Sequence, residues 1–403
     1  MLINDYLKKY DLPINQDYPF NKVDQIILCQ MTMTSYEKLN KKDFFVREIL
    51  EMPDFETCFQ NMLTPDDQLR FYRKYLFSKR FRNLKVIELQ EAHDKEKQLQ
   101  FCAFTYVLPN DTLFIAFRGT DISVTGWIED FNLSIYDEVP AQTLARKYVD
   151  NIISKYQKKV YIGGHSKGAN LALYASIKSK YKDFIINVFD NDGPGFKDDI
   201  FNDSDYLEIK ERVYKVVPRS SIVGLLMRND NNYRVIESVE KGPMQHSPFS
   251  WKITNNDFVY AFGIDINNKI TKDFFLKLLN NSTTKQREEI FASIGKILEL
   301  TDINNLNDIK NNWLDSAYKI LNNKESRKTL TTVFNTIFPV YKESVKDNSR
   351  LFSRCFYCGH KLKIEIHEDN VYYTCEKCNR VFLELTDEMI NNSGEVYIPK
   401  LKK

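Results

Sequence analysis

The sequence lacks the features of a membrane-spanning protein, of a secreted protein and of a protein that mainly binds nucleic acid. No apolar run approaches the length of about 18 residues that a transmembrane helix needs. Residues 1–20 contain no basic cluster followed by an apolar stretch, so no signal peptide is predicted. The 57 Lys and Arg residues are balanced by 55 Asp and Glu residues, a formal net charge of +2. The basic excess of a protein that mainly binds nucleic acid is therefore missing.

Cysteine is scarce and unevenly spread. Cys29, Cys58 and Cys102 are scattered, whereas the other four of the seven cysteines lie between residues 355 and 378. A secreted disulfide framework does not have this distribution, so we predict a reducing, cytoplasmic location. Apolar residues make up 43% of the 403 residues and aromatic residues 13%. This composition supports a sizeable core, and the length fits about two or three domains.

Hydrophobic patterning predicts an α/β domain at residues 1–270, a helical segment at 271–350 and a separate module at 351–403. Strands alternate with helices from about residue 84 to residue 239, which is typical of a mostly parallel sheet. Residues 1–25 are predicted to be a polar arm with a short helix. The predicted strands are 84–91, 98–107, 113–117, 160–162, 184–189, 213–217 and 233–239, and the predicted helices are 23–51, 64–82, 140–156, 169–180 and 205–211.

The helical segment is interpreted as a packing or spacer element, because an apolar stripe at helical spacing is most often buried. Thr283 and Gln286 stand three residues apart just before the stripe, which predicts a capping box. The stripe consists of Ile290, Phe291, Ile294, Ile297 and Leu298.

The first chemical motif is a G-x-S-x-G sequence, Gly164-His165-Ser166-Lys167-Gly168. A short apolar strand leads into it and a helix leads out. That context is the one in which a strained strand-to-helix turn, the nucleophile elbow of α/β-hydrolases, raises a serine hydroxyl above a sheet. The alternative is a serine at an ordinary tight turn. We predict that Ser166 is a catalytic nucleophile.

A serine nucleophile needs a base, and position selects His246 among the five histidines. It lies in a loop beyond the last predicted strand, where the base of this fold occurs; the alternative is an exposed loop histidine. The acid is less well determined. Asp190 and Asp192 both follow the strand after the elbow, and we favour Asp192, which precedes Gly193. A turn-forming role for Asp192 is the alternative.

An oxyanion formed on the substrate needs backbone N–H donors. One is predicted at Lys167, directly after the serine, and another in the loop after an early strand. Thr120 in that loop offers both an N–H group and a hydroxyl group. Trp127 and Asp130 are predicted to brace the loop.

These segments carry a family resemblance. Residues 116–120 followed by residues 126–130 are similar to the oxyanion segment of class 3 lipases, and residues 164–172 resemble their elbow. The chain is still more similar to the Mbeg-like family, a group of lipase-like α/β-hydrolases, which it also resembles at 191–196, 217–224 and 245–246. The resemblance spans about residues 20–280. It implies an α/β-hydrolase fold and hydrolysis of a lipid or other carboxylic ester.

The chain departs from the family pattern at two positions. The class 3 pattern has its catalytic aspartate where this chain has Ser220 and Ser221, and the family usually has aspartate where Ser247 follows the histidine. Asp192, one strand earlier, is the candidate substitute for the acid. The apolar residues 222–227 beside the site are interpreted either as the lining of an acyl pocket or lid or as a buried element.

The C-terminal module contains a four-cysteine motif. Cys355 and Cys358 form one C-x-x-C pair, Cys375 and Cys378 form another, and residues 359–374 separate them. This spacing is that of a structural zinc ribbon, with a strand pair expected over residues 363–374. We predict one structural zinc ion bound by the four thiolates, which a module with so small a core needs to fold. His360 and His367 are expected at the surface.

The leading hypothesis is a cytoplasmic serine ester hydrolase with a C-terminal zinc ribbon. The alternative is a non-catalytic lipase-like scaffold whose ribbon docks a protein or, less favoured, a nucleic-acid partner. The two hypotheses differ in one requirement: the Nε2 atom of His246 must come within reach of the Oγ atom of Ser166 in an enzyme.

Overall fold

The computed structural model describes residues 1–34, 36, 39, 41, 43–53, 55–59, 65–94, 96–120, 132–230, 232–261, 263–264, 266–289, 340, 362–367, 370–377 and 381–383. The chain divides into two compact units, Met1–Ile337 and Phe338–Lys403. The predicted boundaries after residues 270 and 350 stay predictions.

The first unit is built on a sheet whose strands lie in the order in which the chain makes them, with eight strands among the described residues. The strands β1 to β4 pair antiparallel, and β4 to β8 pair parallel. The predicted α/β-hydrolase class is confirmed. The strands are β1 Phe44–Phe45, β2 Lys85–Asp94, β3 Leu99–Val107, β4 Leu113–Phe117, β5 Val160–His165, β6 Ile185–Asn191, β7 Val213–Pro218 and β8 Tyr233–Ile236. The short strands β9 Ile253–Thr254 and β10 Asp257–Phe258 pair antiparallel in a separate sheet.

Helices cover both faces of the sheet. The helices are α1 Ile3–Lys9, α2 Lys22–Gln30, α3 Pro65–Phe77, α4 Pro140–Tyr156, α5 Lys167–Lys178, α6 Ser204–Leu207 and α7 Ile266–Asn281. The helix α4 has the predicted bounds, with a proline in its first turn. The predicted helix at 205–211 is only the four-residue α6 followed by a 3₁₀ turn at Lys210–Arg212. None of the helices among the described residues is long and apolar enough to cross a membrane.

The sequential strand order decides which helices cover which face. Each parallel strand is added beside the previous one at the same edge of the sheet. Right-handed crossovers then place all the connecting helices on one face. The helices α4 and α5 pack there against alternate residues of β3 and β4, among them Phe101, Ala103 and Ile115. The residues between them, such as Cys102 and Phe104, point to the other face. That second face needs a cover from outside the strand–helix alternation.

The N-terminal residues supply this cover. The core on this second face contains Ile3 and Tyr6 of α1, Ile26 of α2 and Phe71 of α3, all wholly buried. The expectation of a polar N-terminal arm is therefore wrong for α1 and the start of α2, whereas residues 15–19 between them are exposed and the predicted short helix is present.

The predicted helix at 23–51 is also wrong beyond residue 30, where α2 ends. A distant side chain holds the backbone just after this end. The buried guanidinium of Arg118 donates hydrogen bonds to the carbonyl oxygens of Thr32 and Thr34 and forms an ion pair with Glu91 at 2.7 Å. Nothing in the sequence around residues 30–34 predicts this contact.

Two predictions for the C-terminal part of the chain, a capping box and a strand pair, fall on described residues. The Thr283 N–H donates to Gln286 Oε1 at 2.8 Å, and the Gln286 N–H donates to Thr283 Oγ1 at 3.2 Å, which confirms the capping box. The apolar stripe from Ile290 to Leu298 lies outside the described residues. In the second unit β11 Leu362–His367, β12 Asn370–Cys375 and β13 Val381–Leu383 form an antiparallel sheet, which confirms the predicted strand pair.

Candidate active site

Ser166 stands alone between the end of β5 and the start of α5. Its backbone has φ 58° and ψ −133°, a left-handed conformation that costs a non-glycine residue about 1–3 kcal/mol. A Cβ atom at Gly164 would lie 2.1 Å from the carbonyl oxygen of Gly168, and one at Gly168 would lie 2.3 Å from the carbonyl oxygen of Phe117. The two glycines let strand and helix approach each other closely. The turn has the geometry of a nucleophile elbow, and Ser166 is partly exposed.

The loop after β4 runs against this elbow. A Cβ atom at Gly119 would lie 2.7 Å from the carbonyl oxygen of His165 and 3.4 Å from the Cβ atom of Ser166. The preceding Arg118 anchors the loop, since its N–H donates to the Cys102 carbonyl at 2.9 Å. Thr120, the next residue, is partly buried. The predicted bracing residues Trp127 and Asp130 lie outside the described residues.

Lys167 begins α5, directly after the serine. Its side chain is buried and donates to the carbonyl oxygen of Gln100 at 3.1 Å. Its backbone belongs to the first turn of the helix, where the helix dipole favours a nearby negative charge.

Asp192 and His246 meet at the carboxyl end of the sheet. The Nδ1 atom of His246 lies 2.7 Å from the Oδ2 atom of Asp192, although the two residues are 54 positions apart. The carboxylate is wholly buried, while about a quarter of the histidine side chain (27%) is exposed. Asp192 also has a positive φ of 54°, so it is a turn residue as well as a histidine partner. Both readings from the sequence apply to it.

Ser221 supports the same carboxylate from the neighbouring strand end. Its Oγ donates a hydrogen bond to Asp192 Oδ1 and accepts one from the N–H of Gly224 at 3.0 Å. The class 3 pattern has its acid at this place in the sequence. Here the carboxylate that contacts the histidine directly follows β6, and the serine after β7 satisfies its second oxygen.

Asp190, the other candidate acid, is engaged elsewhere. Its carboxylate pairs with the buried ammonium of Lys215 at 2.9 Å and accepts the N–H of Gly193 at 2.9 Å. Burial raises the pKa of Asp190, and Lys215 opposes this shift. Asp190 and Lys215 therefore brace the loop that carries Asp192.

The loop of His246 is held by residues that sequence reasoning did not select. His165 Nε2 lies 2.9 Å from the carbonyl oxygen of His246, so this nitrogen must carry a proton. The two imidazole rings are 4.6 Å apart. Trp251 Nε1 donates to the Gln245 carbonyl at 2.8 Å, and the Ser220 N–H donates to Gln245 Oε1 at 2.8 Å. The G-x-S-x-G pattern contained His165, but only as a variable position.

The Nε2 atom of His246 is the ring nitrogen that remains for proton transfer, since Nδ1 is used by Asp192. Among the described residues no hydrogen bond joins this atom to Ser166 Oγ. Catalytic hydrogen bonds commonly tighten only when substrate binds.

The neutral state of His165 gives a prediction about stability. Burial, with a smaller contribution from His246, lowers the pKa of His165 well below its ordinary value. As the pH falls below about 6.5, this histidine binds a proton in the unfolded chain but not in the folded one. The contribution of His165 to the free energy of unfolding is therefore complete above that pH and decreases below it. Between about pH 7.5 and 5.5 the free energy of unfolding should fall by about 1.4 kcal/mol more in the parent than in His165→Gln. Urea unfolding of both proteins at about pH 7.5 and 5.5 measures it, and equal pH dependence in the two would refute it.

Of the four predicted zinc ligands, only Cys375 is described. It is buried at the end of β12, opposite Leu362 at the start of β11. Cys355, Cys358 and Cys378 lie outside the described residues, and within the described part of the chain no cluster of three metal-ligating side chains occurs.

Comparison with known proteins gives a family and several structural relatives. The solved structures that resemble the chain include M37 lipase (14% identity, 50% of this chain and 68% of that one, TM-score 0.34). Two others are Lip2 lipase from Yarrowia lipolytica (16%, 40% and 68%, TM-score 0.26) and the Rhizomucor miehei lipase propeptide complex (14%, 59% and 81%, TM-score 0.27). No curated protein sequence matches. The Mbeg1-like family matches residues 76–295, more than half of the chain. The chain therefore belongs to the Mbeg1-like family.

Proposed function

We propose that this protein is a serine hydrolase that cleaves a carboxylic ester, with Ser166 as nucleophile, His246 as base and Asp192 as the acid that orients it. The observation that carries the proposal is the 2.7 Å contact between His246 Nδ1 and a wholly buried Asp192 carboxylate. A carboxylate removed from water has a strong requirement for a proton donor, and the imidazole N–H meets it.

The reaction follows from these roles. His246 Nε2 accepts the hydroxyl proton of Ser166 while Oγ forms a bond to the ester carbonyl carbon, and the carbonyl electrons move to its oxygen. The tetrahedral intermediate collapses, the bond to the alkoxy oxygen breaks, and the imidazolium returns the proton to the leaving alcohol. Water repeats the sequence on the acyl-enzyme and releases the acid. Asp192 keeps the proton on Nδ1 and stabilises the imidazolium.

The oxyanion is proposed to bind at the Lys167 N–H and at Thr120. Lys167 supplies the N–H that follows the nucleophile at the start of α5, and Thr120 follows the glycine packed against Ser166. Each such donor is worth about 10²–10³-fold in rate in comparable sites.

A lipid ester is the proposed substrate class. The loop that carries His246 exposes Val239 (54%) and Met244 (44%), and the partly exposed Ile222 and Val223 lie next to the acid's partner Ser221. Exposed apolar side chains on the loops that carry His246 and Ser221 favour an acyl chain over a polar substituent. Hydrolysis rates of nitrophenyl esters of increasing chain length test this point: a preference for acetate over long-chain esters would contradict it.

The deciding experiment is covalent labelling with a fluorophosphonate probe, which reports an activated serine without knowledge of the substrate. The parent protein should be labelled, and labelling should be lost in Ser166→Ala and in His246→Ala. His93→Ala, at an exposed position on β2, is the matched control and should label like the parent. A folded parent protein that is not labelled would contradict the proposal and favour the non-catalytic scaffold.

We propose in addition that the second unit binds one structural zinc ion through Cys355, Cys358, Cys375 and Cys378, and that this unit docks a protein partner. The pairing of Leu362 with Cys375 brings the two chain ends that lead to the C-x-x-C pairs to the same end of the hairpin. Four thiolates are a closed donor set for zinc, so the ion would stabilise the unit and take no part in hydrolysis.

Metal analysis of the full chain should therefore find about one zinc per molecule. Cys375→Ser should lose most of this zinc, because three thiolates hold the ion far less tightly. Cys29→Ala, at a buried cysteine of α2, is the control and should keep it. Equal zinc contents in the two variants, or a purified parent that is folded and free of zinc, would contradict the proposal.

A further inference from the structure

The helices α1 and α2, which cover the second face of the sheet, form an N-terminal layer. We infer that Gln25 of this N-terminal layer is a positioning residue for the Ser166 site. Its side-chain amide, paired with the amide of Asn191, holds the nucleophile elbow against the strand end that carries Asp192. The catalytic consequence rests on the proposed function, whereas the positioning itself rests on contacts alone.

The two amides form a reciprocal pair inside the protein. Gln25 Nε2 donates to Asn191 Oδ1 at 2.9 Å, and Asn191 Nδ2 donates to Gln25 Oε1 at 2.8 Å. Both side chains are wholly buried, so water cannot replace a lost partner. Removal of the Gln25 amide leaves the Oδ1 atom and one N–H of Asn191 without partners in a low-dielectric interior.

The remaining hydrogen of Asn191 reaches the elbow. Asn191 Nδ2 also donates to the carbonyl oxygen of Gly164 at 2.8 Å, and the backbone oxygen of Asn191 accepts the N–H of Ser166 at 3.1 Å. Asn191 therefore bonds the chain on both sides of His165 and directly precedes Asp192. It links the backbone of the nucleophile to the backbone of the acid.

Gln25 determines which way the Asn191 amide faces. The terminal torsion of an asparagine is broad and admits two orientations. Only the orientation with Nδ2 toward Gly164 makes a hydrogen bond there, because the other would bring two oxygens together. Gln25 offers one acceptor and one donor in fixed places, and its own second hydrogen is bound to the Lys22 carbonyl at 3.0 Å. The Gln25 amide thus selects the orientation that supports the elbow.

This support comes from outside the part of the chain that matches the Mbeg1-like family. Gln25 lies in α2, whereas the match begins at residue 76. The N-terminal layer therefore contributes to the geometry of the site in addition to covering the sheet.

The test compares Gln25→Leu with Gln30→Leu. Gln30 lies on the same helix and is equally buried, but its Nε2 atom has no hydrogen-bond partner among the described residues. The rate constant for fluorophosphonate labelling of Ser166 should fall about 10–100-fold in Gln25→Leu, since a displacement of about 1 Å can cost 10²-fold. It should fall less than about 3-fold in Gln30→Leu. Hydrogen exchange in a peptide spanning residues 163–168 should accelerate only in Gln25→Leu.

A conservative variant separates positioning from general destabilisation. In Gln25→Glu the protonated carboxyl group still offers one donor and one acceptor to Asn191, whereas the carboxylate offers acceptors only. Burial raises the pKa of such a carboxyl group. The labelling rate relative to the parent should therefore rise several-fold as the pH falls from about 8 to about 6. The parent carries the same neighbouring titratable groups, so the ratio cancels their effect.

The outcomes are distinct. Equal labelling and equal exchange in the two leucine variants would overturn the inference. A parent that is never labelled would end the proposed function, and hydrogen exchange of the elbow peptide would then decide the inference by itself. If Gln25→Leu does not fold, the pH dependence of Gln25→Glu decides it, and a ratio that does not change with pH would overturn it.

Discussion

Asp192→Asn should lower the rate of Ser166 labelling about 10⁴-fold while the protein stays folded. An amide at this position can donate a hydrogen to His246 Nδ1 over the same 2.7 Å contact. It would then favour the tautomer with the proton on Nε2, which cannot accept a proton from serine. The measurement is the second-order rate constant of fluorophosphonate labelling, with urea unfolding in parallel.

Asp190→Asn is the matched control for this prediction. It removes a buried carboxylate two residues away and leaves the buried Lys215 ammonium without a counter-charge, which should destabilise the fold by about 3 kcal/mol or more. The contact between Asp192 and His246 is not removed, so the labelling rate of the folded protein should fall less than about 10-fold. Equal losses of labelling in both variants would mean that neither carboxylate acts on the histidine and that both serve the loop.

Gly164→Ala should destabilise the first unit by about 3–5 kcal/mol, enough to leave little folded protein. The added methyl group would lie 2.1 Å from the backbone carbon and oxygen of Gly168 and 2.5 Å from the backbone nitrogen of Ala169. Backbone atoms cannot rotate away, so relief requires a shift of the whole N-terminal turn of α5. That shift moves Ser166 and the N–H of Lys167 as well.

Gly263→Ala is the corresponding control, because a Cβ atom there meets nothing within 4 Å. Its unfolding free energy should stay within about 0.5 kcal/mol of the parent. Denaturant unfolding of both variants, monitored by tryptophan fluorescence, makes the comparison. A well-folded Gly164→Ala that is labelled at the parent rate would show that strand and helix tolerate a wider turn than the structure has.

The sequence predicted those parts of the molecule that depend on neighbours along the chain. The elbow depends on Gly164 and Gly168 within five residues, and α4 depends on its own apolar spacing and Pro140. Asp192 remained one of two readings, because a turn-forming aspartate and a histidine-binding aspartate look alike until the fold brings His246 to it.

The sequence pattern of the N-terminal layer is misleading for a related reason. Two polar residues of this segment, Asp24 and Gln25, are satisfied inside the protein by distant partners, whereas Lys8, Lys9 and residues 15–17 are exposed. Asp24 binds the guanidinium of Arg80 at 2.6 Å across 56 positions, and Gln25 binds Asn191 across 166. A polar residue looks solvent-exposed in a sequence when the group that pairs with it is far away in the chain.

The N-terminal layer also determines how late in synthesis the fold can be completed. The N–H of Ile253 donates to the carbonyl oxygen of Met1 at 2.8 Å, and the amino group of Met1 donates to the Ile253 carbonyl at 3.1 Å. At a synthesis rate of roughly 5–20 residues per second, residue 1 waits on the order of 10–50 s for this partner to be made. Through that interval α1 and α2 have no completed sheet to cover, and their apolar faces are open to other chains. A fold closed by such distant contacts forms slowly.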